Sequence, residues 1–334
     1  YTDQKGIILN SGYNRAAVRS NLNAKVTNWL EAGLNVNYSR SVNSFAKTNA
    51  HDYSIVRSAM LFPPTIYAGD NATSDEVAWL SANPGTYVRD AKDDMISNAT
   101  FVSAFAQATI IDGLTLRQNF GYSNTNRDRS TFYGSKTGEG KAMRGRIGRS
   151  DSWWNSLTSE TILTYDFKLN DRHHFNVMAA GTFEVSNYAD KSLDVSDLST
   201  ELNGYHDLGV AMATQQPRST RSPQSKLAST LGRINYILDE KYIFTISGRY
   251  DGSSKFYPTM KQAYTFFPSG AFAWRVSEED FMKNQNVVSN LKLRLSYGKT
   301  GNQGISSNIW RPLLSTAHYI SAGSTQGGLA IDTN

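Results

Sequence analysis

The sequence contains no cysteine among its 334 residues. Disulfide bonds, thiolate metal sites and thiol nucleophiles are therefore excluded. The absence fits an oxidising compartment without establishing one.

Long apolar runs are missing as well. A long uncharged run, Met95 to Ile111, is interrupted by Ser97, Asn98, Ser103 and Gln107. It predicts no transmembrane helix. The first residues, YTDQKGIIL, lack the basic region, apolar stretch and small-residue cleavage site of a signal peptide. If the protein is exported, we expect other residues to precede this segment.

The remaining composition favours a folded, sheet-rich protein. Hydrophobic residues make up 39% and charged residues 19%, which argues against wholesale disorder. Aromatic residues reach 12% although the mean hydropathy is only −0.46, a mixture that suits thin sheets. The net charge of +5 combines 34 basic with 29 acidic residues, so it selects no ligand. No nucleic-acid partner is predicted.

Apolar and polar residues alternate with a period of two through most of the chain. In the first hairpin Val18, Leu22, Ala24 and Val26 share one side and Arg19, Asn21, Asn23 and Lys25 the other. The same alternation predicts about ten strands of roughly nine to thirteen residues. They cover residues 18–26, 30–38, 99–111, 114–123, 157–167, 175–185, 227–238, 242–251, 264–276 and 291–300.

The connections between these strands are alternately short and long. Tight turns are predicted at Thr27-Asn28, Asp112-Gly113, 168–172 and Asp239-Glu240, and long segments at 40–98, 124–155 and 187–226. This parity is typical of an antiparallel up-and-down transmembrane β-barrel. Polar alternates such as Glu160, Asp166, Glu184, Arg249 and Arg294 would line a wet lumen or contact a plug. Aromatic girdles are predicted at Trp29, Tyr38, Tyr122, Tyr165, Phe167, Tyr242 and Tyr250. A soluble β-sheet protein is the alternative.

Residues 134–149, GSKTGEGKAMRGRIGR, superficially suggest a P-loop. Five residues separate Gly134 from Gly140, and Ala142 stands where a Ser or Thr is needed, so the nucleotide interpretation fails. The basic residues are expected on a solvated outer loop that could meet lipid-A phosphates or an anionic ligand. They are Lys141, Arg144, Arg146 and Arg149.

Three aromatic residues in or beside the predicted long loops are candidate ligand contacts. Trp153, Trp154 and Tyr205 could stack on sugar rings, or they could belong to a girdle at the membrane edge. No catalytic, metal-binding or cofactor-binding constellation is predicted. His173 and His174 are adjacent, so on a strand they point to opposite faces and cannot share one ion. Residues 278–280 are predicted to be a charged turn.

Several blocks resemble TonB-dependent outer-membrane transporters of the SusC/RagA type. The most specific are LGRINYILDEKYIFTISGRYDGSSKFYP, FFPSGAFAWRVSEEDFMK and LKLRLSYGKTGNQGI, which lie between Leu231 and Ile305. Within the first block, the motif RYDGSSKFYP predicts a strand that leaves the membrane and a connection of about a dozen residues. Its marker residues are Asp251, Gly252, Ser253, Ser254 and Phe256.

The resemblance implies a barrel of roughly 22 strands closed by an N-terminal plug. Residues 1–334 would then be one partial barrel domain without plug or N-terminal regions. It further implies import of an oligosaccharide or peptide across the bacterial outer membrane. The partners would be a SusD-like lipoprotein lid, TonB with ExbB and ExbD acting through the plug, and outer-membrane lipid with lipopolysaccharide. The alternatives are a soluble β-rich carbohydrate-binding module and an outer-membrane β-barrel hydrolase.

Overall fold

The computed structural model describes residues 1–47, 54–62, 84–215, 217–222, 224–256, 264–283, 287–305, 314–321 and 324–331. Its strands are β1 Thr2–Lys5, β2 Gly12–Lys25, β3 Leu30–Ser44, β4 Ala91–Ile111, β5 Leu114–Tyr133, β6 Arg146–Asn170, β7 His173–Leu198, β8 Ala211–Thr214, β9 Arg218–Arg221, β10 Ser225–Leu238, β11 Tyr242–Ser253, β12 Tyr264–Arg275, β13 Lys292–Gly298, β14 Leu314–Ser321 and β15 Ser324–Ile331. The helices are short: α1 Ile55–Leu61, α2 Pro84–Asp90 and α3 Gly138–Lys141, with 3₁₀ turns at Gly204–His206, Val276–Glu278 and Asp280–Met282.

Thirteen strands form one antiparallel sheet, and eleven of them follow one another in the order β1 to β7 and then β10 to β13. The short strands β8 and β9 pair with the outer half of β7, and β14 pairs with β15 in a separate sheet. Every one of the ten predicted strands lies within this sheet. The up-and-down order is therefore confirmed, and across the described residues the sheet is an open wall ending at β1 and β13.

The four predicted tight turns are confirmed and lie at the same end of the sheet. Gly113 has a φ of 75°, and Asp239 and Glu240 have φ of 51° and 57°. Left-handed backbone at the central positions matches the twist of the flanking strands. One further connection at this end, residues 276–291, is longer and contains two 3₁₀ turns. We call this end the short-turn end and the opposite end the outer end.

The strands are much longer than the alternation predicted. β4, β5, β6 and β7 contain 21, 20, 25 and 26 residues. The outer halves, such as NTNRDRS at 124–130, are polar on both faces, so the alternation disappears while the backbone ladder continues. The predicted long connections 124–155 and 187–226 shrink to 134–145 and 199–224. At ~3.3 Å per residue, β7 extends well beyond an apolar band ~25 Å tall.

The strand register joins the predicted apolar rows into one continuous face. Val36 lies opposite Val102, which lies opposite Tyr122. Tyr122 in turn lies opposite Leu157, and Leu157 opposite Val185. We call this side the apolar face and the other side the polar face.

Within the described part of the chain, no second layer covers the predicted apolar rows of the apolar face. Leu22 is 61% exposed and Ile246 68% exposed. The buried hydrophobic side chains among the described residues are Tyr87, Phe132, Ile147 and Val195, and the last three lie at the outer end of the sheet, beyond the predicted apolar rows. A soluble protein would bury such rows, so this arrangement argues for contact with lipid. None of the helices that the structure describes is long and apolar enough to cross a membrane.

Stacked aromatic rings cross the apolar face near the short-turn end. Phe167 stacks on Phe175 at 5.3 Å between ring centroids, and Phe175 on Tyr236 at 4.7 Å. The series continues through Phe244 to Phe272. Each such pair adds about 0.5–1.5 kcal/mol beyond area burial. These rings occupy the level at which an interfacial girdle was predicted.

Candidate functional site

The polar face carries a hydrogen-bonded network between its strands. Arg117 donates through Nη1 to Gln107 Oε1 at 3.2 Å and through Nε to Asn119 Oδ1 at 2.8 Å. Asn119 Nδ2 donates to Glu160 Oε2 at 2.9 Å. The Arg117 guanidinium also lies 3.8 Å from the centroid of the Phe105 ring. These contacts confirm that the polar alternates of neighbouring strands meet on one side of the sheet.

Further ion pairs occupy the outer end of the polar face. Arg129 binds Asp93 through two hydrogen bonds of 2.7 and 2.5 Å. Arg146 binds Asp194 Oδ1 at 3.0 and 2.7 Å. Two charge-assisted hydrogen bonds to one carboxylate hold each guanidinium in place. Both arginines are thereby committed to structural partners.

The two adjacent tryptophans lie on opposite faces. The prediction that they lie in or beside a loop is wrong, because both belong to β6, where successive side chains alternate. Trp154 shares the polar face and packs against Tyr188 at 4.7 Å between ring centroids. Trp153 lies on the apolar side of the outer half, with Lys191 Nζ 5.5 Å from its ring. A joint sugar platform of the two indoles is therefore excluded.

Tyr205 belongs to the connection 199–210, which folds over a small buried cluster at the outer end. The cluster consists of Phe132, Ile147 and Val195, with Leu193, Leu198, Tyr205, Leu208 and Ala211 packed against it. The Tyr205 hydroxyl donates to Asp94 Oδ2 at 2.5 Å. Burial, together with this hydrogen bond, raises the pKa of Tyr205 to about 12. The ring thus fastens the connection to the strands.

The four basic residues that were predicted on one loop lie in a helix, a turn and a strand. Lys141 ends α3, and Arg144 lies in the turn after it with a φ of 49°. Arg146 and Arg149 belong to β6, because the strand begins earlier than predicted. Arg144 pairs with Asp197 at 2.6 Å. Arg149 contacts Ser130 and donates to the Tyr205 carbonyl at 3.1 Å. Three of these four cations therefore have partners within the described residues.

The RYDGSSKFYP motif marks the outer end of β11, as predicted. The strand ends at Ser253, and the connection to Tyr264 covers residues 254–263. Arg249 Nε donates to Asp251 Oδ1 at 2.5 Å on the polar face.

Ser254 of the motif joins the end of β11 to the start of β10. The Ser254 hydroxyl accepts from Lys226 N at 2.8 Å, and Ser254 N donates to the Lys226 carbonyl at 2.9 Å. Phe256 N donates to the carbonyl of Ser253 at 3.4 Å. Gly252 lies beneath the Tyr264 ring, which packs on Tyr250 at 5.3 Å between centroids.

Glu279 accepts three hydrogen bonds at the short-turn end. The sequence predicted only that it belongs to a charged turn. Its Oε1 accepts from the Tyr242 hydroxyl at 2.6 Å and from Trp274 Nε1 at 3.0 Å. Its Oε2 accepts from Lys241 Nζ at 2.9 Å. The hydrogen bond from Tyr242, followed by those from Lys241 and Trp274, lowers the pKa of Glu279 to about 2. The carboxylate ties the connection 276–291 to the ends of β11 and β12.

We expect the stabilisation from the hydrogen bonds to Glu279 to depend on pH. The folded pKa of about 2 lies below the ordinary value of 4.5, so the stabilisation is complete above the ordinary pKa and declines as pH falls from there toward 2. Thermal unfolding of the intact protein in detergent should show Glu279→Gln less stable than wild type, by a margin that is constant at neutral pH and narrows below about pH 4. Glu278→Gln is the control. An unchanged margin at about pH 3 would contradict the assignment.

The described residues contain no group of three His, Cys, Asp or Glu side chains placed to hold a metal ion. His173 contacts the Tyr236 hydroxyl at 2.7 Å, and His174 contacts Asp166 at 2.8 Å. Neither histidine has a serine among its side-chain hydrogen-bond partners.

Comparison with known proteins agrees with this geometry. Residues 25–330 match the family described as TonB dependent receptor-like, beta-barrel. TonB-dependent receptor P3 of Formosa agariphila is 30% identical over 318 residues, covering 92% of this chain and 31% of the relative. TonB-dependent receptor SusC of Bacteroides thetaiotaomicron is 38% identical over 115 residues, covering 32% of this chain and 11% of SusC.

The fold is shared with a solved structure, "Structure of the RagAB peptide transporter", at a TM-score of 0.79 and 19% identity. That match covers 97% of this chain and 36% of the other. The chain spans about a third of the length of P3. The predicted SusC/RagA type and the partial barrel are confirmed. This chain belongs to the TonB dependent receptor-like beta-barrel family.

Proposed function

We propose that residues 1–334 are one partial barrel domain of an outer-membrane importer that takes up oligosaccharides or peptides with energy from TonB. The supporting observation is the thirteen-stranded sheet, which has one apolar face and one hydrogen-bonded polar face. Such a wall suits lipid on one side and a wet lumen on the other. The family's barrels lie in the outer membrane, and the relatives are named as receptors.

The proposal includes partners that lie outside this chain. A SusD-like lipoprotein would close over the outer end as a lid, a hypothesis supported by the similarity to SusC and RagAB. TonB with ExbB and ExbD would act through a plug in the lumen. Lipid and lipopolysaccharide would surround the apolar face. The outer-end residues Lys141, Arg144, Arg146, Arg149, Trp153, Trp154 and Tyr205 remain candidates for ligand or lipid contact.

Uptake measurements test this function. Cells that produce the intact receptor should accumulate a fluorescently labelled oligosaccharide or peptide from a mixed library. Accumulation should fall to background when either the receptor or TonB is deleted, because the closed lumen needs energy input to open. Deletion of an unrelated TonB-dependent receptor is the control. Uptake that persists without TonB would overturn the proposal.

A further inference from the structure

Arg127 differs from the other arginines at the outer end of the polar face. Arg129 and Arg146 are bound to Asp93 and Asp194. Arg127 is exposed, and no carboxylate pairs with it in the described part of the chain. Its guanidinium carbon lies 4.7 Å from the centroid of the Trp154 ring. A cation over an indole keeps its charge and its N–H donors available.

The guanidinium of Arg127 is one of three planar groups that pack on one another across three adjacent strands. Arg127 on β5 contacts Trp154 on β6, and Trp154 packs against Tyr188 on β7. Trp154 retains 37% exposure although neighbours lie on both sides of it. The indole therefore acts as a support for the guanidinium. A supported guanidinium loses less conformational entropy when it binds a ligand.

The surroundings of Arg127 suit a small anionic group. Ser97 and Ser152 lie directly opposite it on the two neighbouring strands. On the polar face of β7, two strands away from Arg127, the acidic residue at this level is Asp190, which lies opposite Ser152. Two strand spacings, about 9–10 Å, separate it from Arg127. Burial, then the charge of Asp190 and a hydrogen bond to it, raise the pKa of Tyr188, so that carboxylate already has a partner.

The position along the strand places Arg127 beyond the membrane. It lies in the outer half of β5, which contains 20 residues, whereas about ten residues of a tilted strand cross the apolar band. A cation here is accessible to a ligand at the mouth of the lumen and pays no penalty for burial in lipid.

We propose that Arg127, supported by Trp154 and flanked by Ser97 and Ser152, is a subsite for a carboxylate of the imported ligand. The inference rests on the proposed import function and refines it, because it assigns the ligand an acidic group. A guanidinium binds a carboxylate through two parallel hydrogen bonds, and serine hydroxyls can donate to the same oxygens. An acidic oligosaccharide and a peptide carboxylate share this chemistry.

Binding to the purified intact receptor in detergent tests the subsite. The probes are tetragalacturonic acid against its methyl ester, and N-acetyl-tetraglycine against N-acetyl-tetraglycine amide. We expect one acidic probe of a pair to bind, with Arg127→Gln weakening it by about tenfold or more while the uncharged partner is unaffected. The pair that responds identifies the source of the carboxylate. Arg221→Gln is the matched control, since Arg221 lies on the opposite face.

Two results of the binding measurements would overturn the subsite. One is that neither acidic probe binds better than its uncharged partner. The other is that Arg127→Gln and Arg221→Gln weaken binding equally. Heat-modified migration of each variant on gels verifies folding. If Arg127→Gln cells take up acidic and neutral cargo as fast as wild-type cells do, and uptake still requires TonB, the subsite alone is refuted. If uptake by wild-type cells does not require TonB, the import function is refuted.

Discussion

Ile246→Arg should prevent most of the protein from assembling in the outer membrane. Ile246 is 68% exposed and lies in the middle of β11 on the apolar face, opposite Ile234 and Gly270. An arginine facing lipid near the membrane centre costs about 2–4 kcal/mol, which is a large part of the stability of a typical protein. The measurements are the amount of receptor in the outer-membrane fraction and the urea midpoint of refolding into lipid vesicles.

The adjacent residue supplies the matched control. Ser247→Arg introduces the same side chain one position later, so it lies on the polar face. It removes the 2.6 Å contact between the Ser247 and Ser269 hydroxyls. That loss costs only about 1 kcal/mol, because the new guanidinium is solvated. If Ser247→Arg were the more damaging variant, the assignment of the two faces would be reversed.

The faces themselves could be predicted because a strand repeats every two residues. Alternation alone predicts that Val18, Leu22 and Ala24 share one side, and the register places all three on the apolar face. The outer halves of β4 to β7 could not be predicted in this way. Outside the membrane both faces meet water, so 124–130 shows no alternation even though its ladder is complete.

The site was less predictable than the wall, because its contacts join residues that are distant in sequence. Trp154 was identified as a candidate, but its separation from Trp153 became evident only when both were found on a strand. Arg127 carried no motif, and its lack of a carboxylate partner depends on where Asp93 and Asp194 lie. Glu279 was assigned to a charged turn, yet its three donors come from two strands and a turn that meet only in the fold.

Replacing Gly252, the glycine of RYDGSSKFYP, is the second substitution that we expect to reduce stability strongly. Gly252→Val should destabilise the outer end of β11. A Cβ at this position would lie 2.1 Å from Cε1 of the Tyr264 ring, far inside van der Waals contact. The ring would have to leave Gly252 and with it the stack on Tyr250. Forced displacement of this kind typically costs about 1–3 kcal/mol.

Gly232→Val is the control for this substitution. Gly232 lies on the same apolar face in β10, and a Cβ there would meet nothing within 4 Å. Valine favours strands, and its side chain would face lipid, so the control should be neutral or slightly stabilising. The urea midpoint of refolding into vesicles should therefore fall for Gly252→Val only. If both variants refold alike, the motif's glycine is not required by Tyr264. A double variant, Gly252→Val with Tyr264→Ala, should recover part of the loss, since the atoms that clash are removed from the other side.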